Sequence, residues 1–383
     1  MDNNILDRPS LVAAAAGSGT AAILVFAMMP VLVGGMADRF DLDDLQSGLV
    51  ATAYFLTYAV IALTSPMWIR RWNWRAVTLL GFCIMVLSLG LALAAPSFTL
   101  ARIAVAASGL GAGMLYPVSL TLVSDMEHTE RVYGFKLAVE QLVPAALLIL
   151  LSAGLFATGG LRGTLTAILT AVLLCLLASA AMPARGMADS ESHGQSDGKL
   201  SAAVLALVAL GINFAGFAGL WVFMERIAVE RGFDSEFINL WLAVGLITSG
   251  VGPLIAAAVS DRLGRTRPLL LSTVAALASL TLLGGEVSQT TYALALTLLP
   301  LTYYFGISYI FSIVAAADSN GRITGLMSFA LAAGSAAGPA MFGAMKIAGG
   351  PVLSLMAACI ATGALLLFYV ARNQPVPTGV VES

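Results

Sequence analysis

The chain is built from apolar blocks of about 20 residues that are separated by short polar connections. A block of this length crosses the ~30 Å of hydrocarbon in a bilayer when it forms a helix. The composition agrees, because 59% of the residues are hydrophobic and only 10% are charged, whereas soluble domains carry about 25% charge. The blocks therefore predict an all-α membrane protein.

Twelve such blocks are present, six in each half of the chain. The predicted spans of the first half are 11–37, 45–69, 76–95, 99–123, 134–157 and 163–182. The predicted spans of the second half are 200–225, 236–259, 268–286, 290–316, 322–345 and 350–371. The segment 183–199 between the halves is polar and lacks apolar periodicity, which predicts a flexible linker. We therefore predict a first six-helix bundle at 1–182 and a second at 200–383.

The two halves are related by a shift of 191 positions. Arg71 and Arg262 stand in corresponding short basic loops. The stretch RVYG that begins at Arg131 likewise corresponds to the stretch RITG that begins at Arg322. Duplicated membrane domains form binding sites at the interface between their repeats. The repeat thus predicts two pseudo-symmetric bundles in the same orientation, with a central site.

The distribution of positive charge predicts the orientation in the membrane. When the N-terminus is placed in the cytoplasm, 13 of the 19 Lys and Arg residues, Lys136 among them, fall on the cytoplasmic side. The opposite side then holds the acidic loop 38–44. The positive-inside rule therefore predicts cytoplasmic termini and linker, and we expect the inner membrane. The first apolar stretch is longer than a signal peptide, so we expect it to remain as a span.

Several function classes find no support in the sequence. His128 and His193 lie in hydrophilic connections, and Cys83, Cys175 and Cys359 stand singly in apolar blocks, so we predict no metal site and no cofactor. The chain has no Gly-Lys-Ser/Thr phosphate loop and no nucleophile–base cluster, so we do not expect an enzyme. The net charge of -2 gives no reason to expect nucleic acid as a partner.

The loop between spans eight and nine carries Asp261, Arg262, Gly264 and Arg265. An Asp at a helix end accepts hydrogen bonds from exposed amides, and a glycine permits a tight turn. These residues resemble the loop motif of the major facilitator superfamily, and the resemblance extends over both halves. It implies a transporter fold of two bundles and a gating role for this loop. Plain positive-inside anchoring is the alternative. In the first-half counterpart, Arg70 and Asn73 replace the Asp and the Gly.

Span eleven contains Gly334, Gly338, Pro339 and Gly343, with the glycines about one helical turn apart. Small residues at this spacing predict close helix packing. The stretch resembles a Gly-Pro motif that exporters of the superfamily carry in span five. Span five of this chain lacks that motif, so the sequence does not give the direction of transport.

Glu140 is the most informative single residue. It lies roughly 10 Å along the helix from the predicted start of span five, and carboxylates at that depth are rare and usually functional. We therefore select Glu140 as the proton-coupling candidate. The alternative is a fixed ion pair with an arginine of the loop 260–267. We expect the adjacent Gln141 to make a helix–helix hydrogen bond.

Spans two, seven and ten contain polar and aromatic residues. Tyr54 and Tyr58 share one face of span two, and the resemblance implies that spans seven and ten line a central cavity. The candidates are Tyr54, Tyr58, Asn213, Trp221, Tyr303 and Tyr304. Packing and membrane-interface positions are the alternatives for the aromatic residues. Asn213 either orients a substrate or bonds a neighbouring carbonyl. We expect no Lys or Arg in the middle of a cavity-lining span, which favours a neutral, weakly polar or cationic substrate.

The pairs Asp38–Arg39 and Glu225–Arg226 close the outer ends of spans one and seven. They predict either ion pairs of an outer gate or solvated turns. Together these features predict a monomeric, proton-coupled secondary transporter of a small organic solute, acting in the lipid bilayer by alternating access. A proton-independent facilitator and a receptor or regulator that does not transport remain as alternatives.

Overall fold

The computed structural model describes residues 8–126, 129–155, 160–185, 200–259, 264–317 and 326–373. Asp261, Arg262, His128 and His193 lie outside these ranges. All regular structure within them is helical, as predicted.

Thirteen α-helices make up the described part of the chain. The first half contains α1 (Pro9–Ala27), α2 (Met29–Phe40), α3 (Asp44–Trp68), α4 (Trp74–Ala94), α5 (Phe98–Ser124), α6 (Thr129–Ser152) and α7 (Gly160–Ala178). The second half contains α8 (Leu200–Val229), α9 (Ser235–Val259), α10 (Thr266–Thr281), α11 (Gln289–Ala317), α12 (Met327–Ile347) and α13 (Val352–Arg372).

The helices give twelve passes, which confirms the predicted number. Ten of the described helices are long and apolar enough to cross a membrane. The other three are α2, α10 and α12. The first pass consists of α1 and α2 together, which break at Met28 because Pro30 in the first turn of α2 has no N–H to donate. Helices α10 and α12 occupy the places of spans nine and eleven, and the predicted boundaries lie within five residues of the observed ones.

The internal repeat is visible in the helix boundaries. A shift of 191 positions carries the bounds of α3, 44–68, onto 235–259, which are the bounds of α9. The same shift carries Pro9, the start of α1, onto Leu200, the start of α8. The sequence duplication is therefore also a structural duplication.

The two halves pack against each other through α3 and α12, through α6 and α9, and through α2 and α8. The glycines of α12 let these helices approach closely because they have no Cβ. Gly334 and Gly338 lie against the backbone of α8, and Gly343 lies against the backbone of α3 at Asp44. Pro339 contacts α3 through its carbonyl oxygen, at Gly48. The predicted packing role of this motif is confirmed.

The perimeter of the helical assembly is apolar. Leu87 is 74% exposed, Leu177 72% and Met67 68%, and they belong to three different helices of the first half. Apolar side chains exposed on many helices at once require a lipid environment rather than water.

Candidate functional site

A cavity lies between the two halves and contains about 1090 Å³ of space that no protein atom occupies. It is lined by α1, α3, α5 and α6 of the first half and by α8, α9, α11 and α12 of the second. The interface between the repeats therefore contains the central site that the duplication predicts.

Ten aromatic side chains line the cavity. They are Phe26, Tyr54, Phe55, Tyr58, Tyr116, Phe214, Phe217, Trp221, Tyr304 and Phe311. Phe214, Phe217 and Trp221 share one face of α8 because they are three and four residues apart. The rings of Phe26 and Phe214 approach to 5.9 Å between centroids, and they come from opposite halves.

Four of the six predicted cavity residues line this space, namely Tyr54, Tyr58, Trp221 and Tyr304. Trp221 has a buried indole Nε1 with no hydrogen-bond partner among the described residues. The ring of Tyr303 lies behind the wall, where it stacks on Phe217 with 4.2 Å between centroids.

Asn213 also lies behind the wall, and its side-chain amide is used within the protein. Its Nδ2 donates to the carbonyl oxygen of Ile360 at 2.8 Å, and its Oδ1 accepts from the hydroxyl of Tyr303 at 2.8 Å. These bonds join α8 to α13 and α11. Of the two roles left open for Asn213, the structure shows bonding of a neighbouring carbonyl.

Glu140 lines the cavity, and its carboxylate forms an ion pair with Lys136 one turn earlier on α6. Both side chains are buried, with 1% of Glu140 and none of Lys136 exposed. The Lys136 ammonium also lies over the ring of Tyr116 of α5, 4.6 Å from its centroid. The carboxylate lies so close to Gly19 of α1 that a Cβ there would overlap with Oε1.

The structure places Lys136 deeper in its helix than the sequence predicted. The predicted span began at residue 134 and so put Lys136 in its first turn, on the cytoplasmic side, whereas α6 begins at Thr129 and carries Lys136 about two turns into the bundle. We expected no Lys or Arg in the middle of a cavity-lining span; Lys136 lies in the first half of α6, short of its middle, but its side chain is fully buried. Among the described residues the partner of Glu140 is this lysine, and Arg262 of the loop 260–267 lies outside them. The four-residue spacing was the available signal, since it places the two side chains on one helix face.

Gln141 makes the predicted helix–helix hydrogen bond. Its Oε1 accepts from the hydroxyl of Ser249 on α9 at 3.0 Å, and both side chains are buried. Gly250, next to Ser249, leaves the space that the Gln141 side chain occupies. The residue beside the candidate proton site therefore connects the first half to the second.

Ion pairs join the two halves at one end of the molecule, which we call the Asp44 end because α3 begins there. Arg226 Nε of α8 lies 3.2 Å from Asp44 Oδ1, and Lys346 Nζ of α12 lies 3.3 Å from Asp44 Oδ2. Lys346 also pairs with Glu230 at the end of α8. These side chains are partly exposed, so the network joins the two halves at this end without burying uncompensated charge.

The network differs from the pairs suggested by the sequence. Arg226 pairs with Asp44 rather than with its neighbour Glu225, and Arg39 donates to the carbonyl oxygen of Ala95 at 2.9 Å. Glu225 packs its carboxylate against Gly34 of α2. Ion pairs between the halves are thus present at this end, with different partners. Sequence alone missed Lys346 and Glu230, which carry no local motif.

The loop motif is only partly described. Gly264 has a positive φ of 66°, as the predicted tight turn requires, and Arg265 precedes α10 without capping it through its side chain. In the first-half counterpart, Arg70 donates two hydrogen bonds of 2.8 Å to the carboxylate of Asp125. Asn73 caps α4 by accepting from the N–H of Ala76. The counterpart residues therefore have structural roles of their own.

Comparison with known proteins agrees with this architecture. Residues 14–206 match the family described as Major Facilitator Superfamily. The chain belongs to this superfamily. A search of curated protein sequences gave no match. As a superfamily member with a cavity between two bundles, the protein is a multi-pass membrane transporter and not an enzyme.

Two solved structures of the superfamily show the same fold at low sequence identity. A bacterial homologue of the human lysosomal transporter Spinster, in an inward-facing and unoccupied conformation, is 17% identical with a TM-score of 0.68, covering 96% of this chain and 98% of that one. The transporter FucP, in the outward conformation, is 18% identical with a TM-score of 0.63, covering 97% of this chain and 99% of that one.

Proposed function

We propose that this superfamily member is a proton-coupled secondary transporter of a small organic solute, with Glu140 as the proton-carrying group. One observation supports this most strongly: among the described residues one carboxylate lines the central cavity, and it is buried and paired with a buried cation. Ionisable residues within membrane spans are rare and commonly mark proton or substrate pathways.

The contacts of the pair suggest how protonation acts on the helices. A proton taken from water in the cavity by Glu140 Oε1 removes the negative charge beside Lys136. A buried ammonium without a counter-charge is unfavourable, so this state favours a conformation in which Lys136 gains water or another acceptor. The pair lies on α6 and contacts α1 at Gly19 and α5 at Tyr116, so that rearrangement acts on three helices of one bundle.

Alternating access then consists of rocking between the bundle 1–182 and the bundle 200–383, which the linker 183–199 connects. Such a motion would break and re-form contacts between the two halves. These contacts are the hydrogen bond from Ser249 to Gln141 and the ion pairs at the Asp44 end. From the distribution of positive charge we propose that the termini and the linker are cytoplasmic in the inner membrane, and that the Asp44 end faces outward. We propose a monomer as the working unit.

Flux measurements on Glu140→Gln in proteoliposomes test the coupling. A thermal-shift screen of purified protein against metabolites and drugs at two pH values first supplies a substrate. The variant keeps the shape and hydrogen-bonding capacity of the side chain but removes the group that binds the proton. We expect it to lose accumulation driven by a pH gradient while it retains substrate binding and downhill exchange.

Two controls separate coupling from structure. Glu236→Gln changes an exposed glutamate in the first turn of α9 and should leave pH-driven accumulation unchanged. The double variant Glu140→Gln/Lys136→Met removes both charges, so it also lacks coupling but has no unpaired lysine. Undiminished pH-driven uptake by Glu140→Gln would favour the proton-independent facilitator. Substrate binding by wild-type protein without any flux would favour a receptor or regulator.

A further inference from the structure

We infer that the cavity selects uncharged aromatic molecules that carry a hydrogen-bond acceptor, and that the Glu140–Lys136 pair sets this charge selectivity. The inference rests on the proposed function, because it names the substrate class of the same cavity. It goes beyond proton coupling, since the same pair is assigned a role in choosing the substrate.

The charge balance of the wall disfavours ions. Of the described residues that line the cavity, only Glu140 carries a formal charge, and Lys136 neutralises it from within the same helix. A cationic substrate finds this carboxylate already engaged, and an anionic one faces it without a free counter-charge. Either ion would lose its hydration without gaining an opposite charge, whereas a neutral molecule loses little.

The aromatic wall suits a flat, apolar molecule. Phe217 and Trp221 are nearly parallel, with 10° between their planes and 6.3 Å between their centroids. Phe26 and Phe55 of the first half meet edge to face at 5.3 Å between centroids, and Phe26 also contacts Phe214. Aromatic rings prefer such offset and edge-to-face arrangements, so a substrate ring finds partners on both bundles.

The indole of Trp221 is the reason why we expect the ligand to carry a hydrogen-bond acceptor. The side chain is 3% exposed, it lines the cavity, and its Nε1 has no acceptor among the described residues. A buried N–H without an acceptor is unfavourable, so a ligand that provides one gains affinity. Ketone, ester, amide and ether oxygens accept a hydrogen bond without bringing charge into the cavity.

Equilibrium binding of probes that share one ring tests the inference. The probes are neutral 2-acetonaphthone, anionic 2-naphthoate, a cationic naphthylmethyl trimethylammonium, and 2-ethylnaphthalene, which is neutral and lacks an acceptor. Binding to the full-length protein in lipid nanodiscs is measured by equilibrium dialysis, with empty discs subtracted. We expect 2-acetonaphthone to bind at least about tenfold more tightly than either ion. Trp221→Phe should abolish its advantage over 2-ethylnaphthalene.

Charge variants test the role of the ion pair. Lys136→Met leaves the carboxylate unpaired and should raise affinity for the cation about tenfold or more at pH 8.5. Glu140→Gln leaves the lysine unpaired and should raise affinity for the anion by a similar factor at pH 6.0. The double variant should restore the preference for the neutral probe at both pH values. The thermal unfolding midpoint of each variant checks that it is folded.

Equal binding of an ion and the neutral probe by wild-type protein, or no binding of any probe, overturns the inference. So does an unchanged order of affinities in folded charge variants. If a variant does not fold, the wild-type order still decides for or against neutral selectivity. These measurements use no gradient and no flux, so absence of proton coupling leaves them unaffected.

Discussion

The Glu140–Lys136 pair allows a prediction about stability as well as transport. Removing one member leaves the other as an uncompensated charge in a site with at most 1% exposure. Breaking a buried ion pair in this way costs roughly 3–5 kcal/mol, whereas replacing both members by uncharged groups of similar volume is often neutral or stabilising. We therefore expect each single variant to lose about 3–5 kcal/mol and the double variant Lys136→Met/Glu140→Gln to lose much less.

The two single variants should also depend on pH in opposite directions. In Lys136→Met, protonation of Glu140 would remove the uncompensated charge, so we expect this variant to lose less stability at pH 6.0 than at pH 8.5. In Glu140→Gln, deprotonation of Lys136 would remove the uncompensated charge, so we expect this variant to lose less stability at pH 8.5 than at pH 6.0. The double variant has neither group, so it should show neither of these two pH effects.

Unfolding of detergent-solubilised protein by increasing fractions of sodium dodecyl sulfate, followed by circular dichroism at pH 6.0 and 8.5, measures these differences. Methionine is a suitable replacement because it keeps the length and the apolar stem of lysine. Parallel pH slopes in the two single variants, or equal losses in the single and double variants, would refute the argument. Such results would mean that the pair is solvated or is not formed.

Three further predictions follow from other contacts. Gly19→Ala should destabilise the protein by about 1–3 kcal/mol through overpacking against Glu140, whereas Gly90→Ala, which meets no atom within 4 Å, should not; equal effects would contradict the packing. Asp44→Asn should break the ion pairs of Asp44 with Arg226 and Lys346. We expect an impermeant maleimide added at the Asp44 end to label a cysteine placed in the cavity several-fold more in this variant than in the control Asp41→Asn. Labelling that stays at the control level would contradict the hypothesis that these ion pairs close the Asp44 end. A reporter fused at position 190 should score cytoplasmic, and a periplasmic score would exclude the proposed orientation.

The number of the spans could be predicted from sequence because hydrocarbon imposes its requirement locally. A helix that crosses the bilayer needs about 20 apolar residues wherever it lies in the fold, so twelve blocks predict twelve passes. The shift of 191 positions can also be read directly from the sequence, and it correctly paired α3 with α9. Small residues at helical spacing likewise indicated the close packing of α12.

The sequence predictions failed where the result depended on the first residue of a helix or on the rotation of a helix about its axis. A five-residue error in the start of α6 put Lys136 in the first turn of its span, although it lies deeper in the helix as the buried partner of Glu140. Tyr303 and Tyr304 are adjacent in sequence, but successive residues on a helix point about 100° apart, so only Tyr304 lines the cavity. Hydropathy does not determine this rotation, because both faces of the helix are apolar.

The sequence by itself determined that this chain is a duplicated helical membrane protein, that Glu140 is buried in it, and which superfamily it resembles. Those features follow from composition, spacing and motif, which do not depend on the relative positions of distant segments. The partners of the polar groups became known from the packing of the helices. Lys136 forms an ion pair with Glu140, and Asp44 forms ion pairs with Arg226 and Lys346. The side-chain amide of Asn213 forms hydrogen bonds with Tyr303 and with the carbonyl oxygen of Ile360. The choice of partner for a charge or an amide depends on how helices are rotated and packed, and that choice sets the charge of the cavity.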